Sequence, residues 1–86
     1  MKEFEYTIKD ELGLHARPAG LLVKQAATYQ SKLTIEKVGG KSADLKRLFG
    51  VMGLAVKCGE TIKVTAEGED EAAAAEALEE FFKANF

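Results

Sequence analysis

One cysteine, one histidine and one proline among 86 residues exclude several classes of protein at once. Cys58 has no partner for an internal disulfide, and one cysteine with one histidine cannot make up a zinc ligand set. No histidine lies next to Cys58 and Lys57 alone is weak activation, so a small structural role without reactivity is expected. No apolar run approaches the ~20 residues of a membrane span. Met1 to Lys9 alternates charged and apolar residues where a signal peptide would carry an apolar core. A soluble, cytoplasmic protein without membrane insertion is therefore expected. The net charge of -2 argues against general nucleic-acid binding.

That net charge conceals an asymmetry. Residues 1 to 59 carry ten Lys or Arg against six acids, whereas residues 60 to 86 carry two against eight. The basic portion holds the only histidine. With 47% hydrophobic residues the chain has the composition of a folded domain, and residues 1–86 are expected to form one. A domain of this length buries only roughly 60 to 65% of the surface its unfolded chain exposes, which leaves little volume for a deep cofactor cavity. Neither cofactor nor metal is expected, and the chemistry belongs near the surface.

Phe4, Tyr6 and Ile8 fall at every second position of Lys2 to Lys9 and share one face of a first strand. Asp10 to Gly13 breaks the alternation. From Ala16 onward, Ala19, Leu22, Val23 and Ala26 follow helical spacing, and Pro18 suits the first turn, where its missing N–H costs nothing. Leu33 and Ile35 mark a second strand, Gly39-Gly40 a hairpin, and a short third strand follows. Leu45, Leu48, Phe49 and Met52 predict a short helix from about Asp44 to Leu54. Glu60 to Glu67 alternates again through Ile62, Val64 and Ala66. Asp70 is a good N-cap for a last helix striped by Ala74, Ala77, Leu78, Phe81 and Phe82. The order is βαββαβα. Each strand has one apolar face, so an α+β open-faced β-sandwich follows, a four-stranded antiparallel sheet with three helices on one face.

A lone histidine in a small domain is ordinarily a surface or packing residue, but the position of His15 sets it apart. It immediately precedes the helix that Pro18 helps to start, so the unpaired N–H groups of Ala16 and Arg17 point toward whatever occupies the imidazole. The partial positive charge of a helix N-terminus suits a nucleophilic imidazole before transfer and a phosphoryl group after it. Arg17 opposes that dipole, which suggests an anion to offset it, and its planar fork matches phosphate oxygens. A short second helix cannot bury all of Leu48, Phe49 and Met52, so some of them are available to a partner, with Lys24, Lys46 and Arg47 as a basic rim.

LGLHARPAG, from Leu12 to Gly20, resembles the active-centre signature of the HPr family of the sugar phosphotransferase system. DLKRLFGVMGLAV (Asp44 to Val56) and AEGEDE (Ala66 to Glu71) resemble two further blocks of that family, in the same order, and the resemblance covers essentially the whole chain. It implies that His15 is phosphorylated on Nδ1 by phosphoenzyme I, itself charged by phosphoenolpyruvate. It implies too that His15 phosphorylates sugar-specific IIA proteins, with Arg17 assisting, and that a surface including Ala16, Gly20, Leu48, Phe49 and Met52 docks both partners. The chain is then a carrier rather than a standalone enzyme, and a monomer is expected. In many Gram-positive bacteria the family carries a regulatory serine at the start of the second helix. Arg47 stands there in this chain, with the Val38 to Lys41 hairpin one residue longer, and Ser42, five residues earlier, is the nearest hydroxyl. No serine switch is expected.

Two other readings compete with the carrier. A regulatory binding module could use the same surface to control a transporter or transcription factor. A small acylphosphatase-like hydrolase would need an Asn to orient water, and none stands near His15-Ala16-Arg17-Pro18.

Overall fold

The computed structural model describes residues 1–86. The four expected strands form, as β1 (Lys2–Thr7), β2 (Lys32–Lys37), β3 (Ser42–Asp44) and β4 (Thr61–Glu67). The helices are α1 (Ala16–Ala26), α2 (Leu48–Gly53) and α3 (Glu71–Asn85). All pairings are antiparallel, in the order β1-β4-β2-β3. Register brings the apolar positions into rows across the strands. Phe4 lies opposite Val64, Val64 opposite Ile35, and Ile35 opposite Ala43. Because side chains alternate between faces, this row and its neighbours Tyr6–Ile62 and Ala66–Leu33 project to the same side.

That side is covered by the helices, and the other is the polar open face. Leu22 and Ala26 of α1, Val51 of α2, and Ala74, Leu78 and Phe82 of α3 are buried against Leu33, Ile35, Ile62 and Val64 in one apolar cluster. The Phe82 ring meets Phe4 edge-on at 6.1 Å and Tyr6 at 5.9 Å, so α3 lies along the β1 side of the sheet. The α1 helix packs against both α2 and α3.

Three local expectations are corrected by the structure. The first strand ends at Thr7, two residues early, although Ile8 is still buried and its N–H donates to the Glu60 carbonyl at 2.9 Å. The second helix starts at Leu48 rather than Asp44. Asp44 completes β3 opposite Thr34, and its carboxylate accepts from the Lys46 N–H at 2.9 Å, which holds a turn where helix was predicted. Leu45 follows helical spacing only by coincidence; it is buried, with its N–H donating to the Leu33 carbonyl at 3.0 Å. Asp70 occupies the N-cap of α3 but does not cap it. Its carboxylate instead accepts from the Gln30 and Ser31 N–H groups, both at 2.9 Å, and from the Ser31 hydroxyl, closing the turn between α1 and β2.

Candidate functional site

His15 sits at the junction of a constrained loop and a helix. Gly13 has φ +68°, and a Cβ there would fall 2.4 Å from the Val56 carbonyl oxygen and 2.8 Å from Lys57 Cα. Only glycine permits so close an approach of the two backbones. The approach is secured by Leu14, whose N–H donates to Val56 O at 3.0 Å and whose side chain enters the core. His15 then takes an extended conformation as the N-cap of α1, and its carbonyl accepts from the Ala19 N–H at 3.0 Å. Pro18 is buried in the first turn of the helix, where no N–H is needed. Ala16 and Arg17 have no carbonyl a turn earlier to receive their N–H groups, and no side chain caps them.

The imidazole is 31% exposed, and its Nε2 lies 3.3 Å from Oδ2 of Asp10. An ionised carboxylate only accepts, so Nε2 carries a hydrogen and, in the neutral ring, Nδ1 carries the lone pair. The other Asp10 oxygen accepts from the Leu12 N–H at 2.9 Å. That bond, reinforced by His15, holds the Asp10 carboxyl below the ordinary carboxylate range. The Phe86 ring packs against the imidazole in a T-shaped arrangement, with centroids 6.3 Å apart and ring planes at 76°. Phe86 is buried, and its carbonyl oxygen accepts from the N–H groups of Lys9 and Asp10 at 2.6 and 2.8 Å.

The residues singled out in the sequence are not all brought together. Arg17 is exposed and forms no ion pair within the chain, leaving its guanidinium available beside His15. Ala16, Gly20 and Lys24 follow one another at four-residue spacing along the outer face of α1. Lys24 lies in the last turn, about 13 Å along the axis from His15, where a cation also suits the helix dipole. In α2, Phe49 is 89% exposed and Leu48 and Met52 are partly buried, while Val51 provides the core contact. Arg47 is the exposed N-cap of α2. Lys46 also has a structural bond: its ammonium donates to the Tyr29 carbonyl at 2.7 Å and ties the β3–α2 turn to the turn between α1 and β2. Leu12, 73% exposed and three residues before His15, and Leu21, 55% exposed on α1, add apolar surface beyond the residues named from the sequence.

Asp10 and Phe86 were missed as site residues. An acid five positions before the histidine was a detectable signal for the first, whereas nothing local marks Phe86. No three His, Cys, Asp or Glu side chains gather as a metal site.

An open-faced α+β sandwich that presents one imidazole at a helix N-terminus is the architecture of a histidine phosphocarrier, a class whose chemistry takes place at the surface. The family model for the PTS HPr component phosphorylation site matches residues 2–84. The chain belongs to the HPr family, the phosphocarrier proteins of the phosphotransferase system. It is 46% identical over 78 residues to phosphocarrier protein HPr of Lysinibacillus sphaericus, covering 91% of this chain and 88% of the relative. A crystal structure of HPr-C-His from Thermoanaerobacter tengcongensis superposes with a TM-score of 0.91 at 40% identity, covering 98% of this chain and 93% of the other. An HPr dimer from the same organism superposes at 0.76, also at 40% identity, covering 98% and 95%. No helix is long and apolar enough to cross a membrane.

Proposed function

We propose that His15 accepts a phosphoryl group on Nδ1 from phosphoenzyme I and passes it to sugar-specific IIA proteins. The observation that carries this reading is the division of the imidazole. Nε2 faces Asp10, which leaves Nδ1 as the nitrogen free to react, and His15 is itself the N-cap of α1, where the Ala16 and Arg17 N–H groups are unpaired. Those amides, with the Arg17 guanidinium, are the donors for the phosphoryl oxygens. Phosphoryl transfer depends on in-line positioning and charge stabilisation more than on covalent machinery, so a surface imidazole suffices once a partner supplies the rest.

Ala16, Gly20, Leu48, Phe49 and Met52 form the docking surface in this reading, with Lys24 and Arg47 at its basic rim for acidic partners. Lys46 keeps its structural bond to Tyr29 and contributes little to the rim. One chain supplies every group named, so a monomer is the functional form, which sedimentation equilibrium at micromolar concentration tests. Arg47 at the N-cap of α2 leaves that helix without a phosphorylatable hydroxyl, so His15 is the only phosphorylation site. Incubation with the family's ATP-dependent kinase is expected to leave Ser42 and every other serine unmodified.

The test of the carrier reading is incubation with enzyme I and labelled phosphoenolpyruvate. An acid-labile, base-stable adduct is expected on the wild-type protein and none on His15→Ala. Arg17→Ala is expected to slow transfer by about 100-fold, as loss of one preorganised donor does elsewhere. Label retained by His15→Ala would defeat the assignment.

A further inference from the structure

Asp10 is held in place from both ends. Its backbone N–H donates to the Phe86 carbonyl at 2.8 Å, and its Oδ1 accepts from the Leu12 N–H at 2.9 Å. Its Oδ2 is thereby left directed at Nε2 of His15, 3.3 Å away, while the Phe86 ring stands against the imidazole. The two carboxylate oxygens have separate tasks, one maintaining the loop and the other addressing the histidine.

We propose that Asp10 is a positioning residue for phosphoryl exchange: it keeps the His15 proton on Nε2 and faces the positive charge that the ring acquires when Nδ1 binds phosphorus. This rests on the carrier reading above and follows from the electron balance of the transfer. The Nδ1 lone pair forms the N–P bond as the bond from phosphorus to the donor's leaving group breaks, and that bond's electron pair departs with the donor. The ring keeps its Nε2 proton and becomes a phosphorylated imidazolium, one unit more positive than before. When the group moves on, the N–P pair returns to Nδ1 and the ring is neutral again. No proton enters or leaves. A fixed anion beside Nε2 therefore favours the reactive tautomer before transfer and the phosphorylated ring after it.

Two substitutions test this. Asp10→Ala removes both side-chain bonds. Asp10→Asn keeps the shape, but it has a single carbonyl oxygen to serve two donors. The Leu12 N–H is a fixed donor and holds that oxygen, which turns the amide NH2 toward Nε2 and opposes a proton there. In the unphosphorylated proteins, 15N resonances of His15 are expected to show the Nε2–H tautomer dominant in wild type, reduced in Asp10→Ala and reduced further in Asp10→Asn. With enzyme I at a fixed ratio of phosphoenolpyruvate to pyruvate, the ratio of phosphorylated to free protein is expected to fall about threefold to tenfold in both variants. A merely structural role in the loop would leave Asp10→Asn like wild type in both measurements, and that result would overturn the proposal. So would an unchanged tautomer in Asp10→Ala. Absence of label on the wild-type protein would instead defeat the carrier reading itself, whatever the tautomers show.

Discussion

Replacing Gly13 by Ala tests whether the close approach of two backbone segments is what places His15. Gly13 and Gly39 both have positive φ, +68° and +82°, but a Cβ at Gly39 would meet nothing within 4 Å. The left-handed conformation costs a non-glycine residue about 1–2 kcal/mol, and the stiffer unfolded chain returns about 0.4–1 kcal/mol. Gly39→Ala is therefore expected to destabilise by roughly 0.5–1 kcal/mol. Gly13→Ala suffers the same strain and also places its methyl 2.4 Å from Val56 O and 2.8 Å from Lys57 Cα, backbone atoms that cannot rotate away. Separating the segments adds roughly 1–3 kcal/mol of overpacking and puts at risk the Leu14–Val56 hydrogen bond, worth about 1 kcal/mol. The expected total is about 3 kcal/mol, or a Tm lower by roughly 12–24 °C in a domain of this size, against roughly 2–8 °C for Gly39→Ala. Urea unfolding by linear extrapolation measures the difference. The folded fraction of Gly13→Ala is also expected to accept phosphoryl label more slowly, because its displaced segment ends at His15. Equal destabilisation by the two substitutions, with wild-type labelling of Gly13→Ala, would refute the argument.

Ala55, the residue after the C-cap of α2, has φ 52° without being glycine. Ala55→Gly relieves about 1–2 kcal/mol of strain and loosens the unfolded chain by about 0.4–1 kcal/mol, so a higher urea midpoint and roughly 0.5–1 kcal/mol of added stability are expected. Asp70 has its carboxyl pKa lowered, first by the Ser31 hydroxyl and then by the Gln30 N–H. A depressed folded pKa contributes stability above the unfolded value near 4, and that stability disappears as pH falls through the folded value. Asp70→Asn is accordingly expected to lower the urea midpoint at pH 7 and to converge on wild type in acid, a pH series of unfolding curves being the check. Phe49, 89% exposed, contributes almost nothing to the core. Phe49→Ala is expected to change stability by less than about 0.5 kcal/mol while raising the KM of enzyme I for this protein about tenfold. An unchanged KM would remove Phe49 from the docking surface.

Much of this molecule is legible in one dimension because its periodicities are local. The alternation of Phe4, Tyr6 and Ile8, the helical spacing after Ala16 and the stripe through Ala74, Leu78 and Phe82 depend only on backbone geometry and on which residues avoid water. Their order sufficed for the sandwich. His15 was legible for the same reason, since Pro18 marks a helix start and the first-turn amides follow from helix geometry alone. The second helix was misjudged because Leu45 satisfies two environments equally well, and the Asp44 carboxylate decides between them through a turn.

What escaped the sequence lies between segments far apart in the chain. Asp70 looks like a helix cap, yet it serves Gln30 and Ser31, about 40 positions away, because the fold brings that turn within reach of its carboxylate. Lys46 reads in the sequence only as a basic surface charge, and its bond to the Tyr29 carbonyl, 17 positions away, is visible only in the fold. At the site itself, the sequence determined that an imidazole would stand at the mouth of a helix with Arg17 beside it. Only the tertiary structure decided which ring nitrogen is engaged. That choice depends on Phe86 reaching back to the Asp10 backbone and on Val56 pressing against Gly13, contacts that exist only once distant backbones have been packed together.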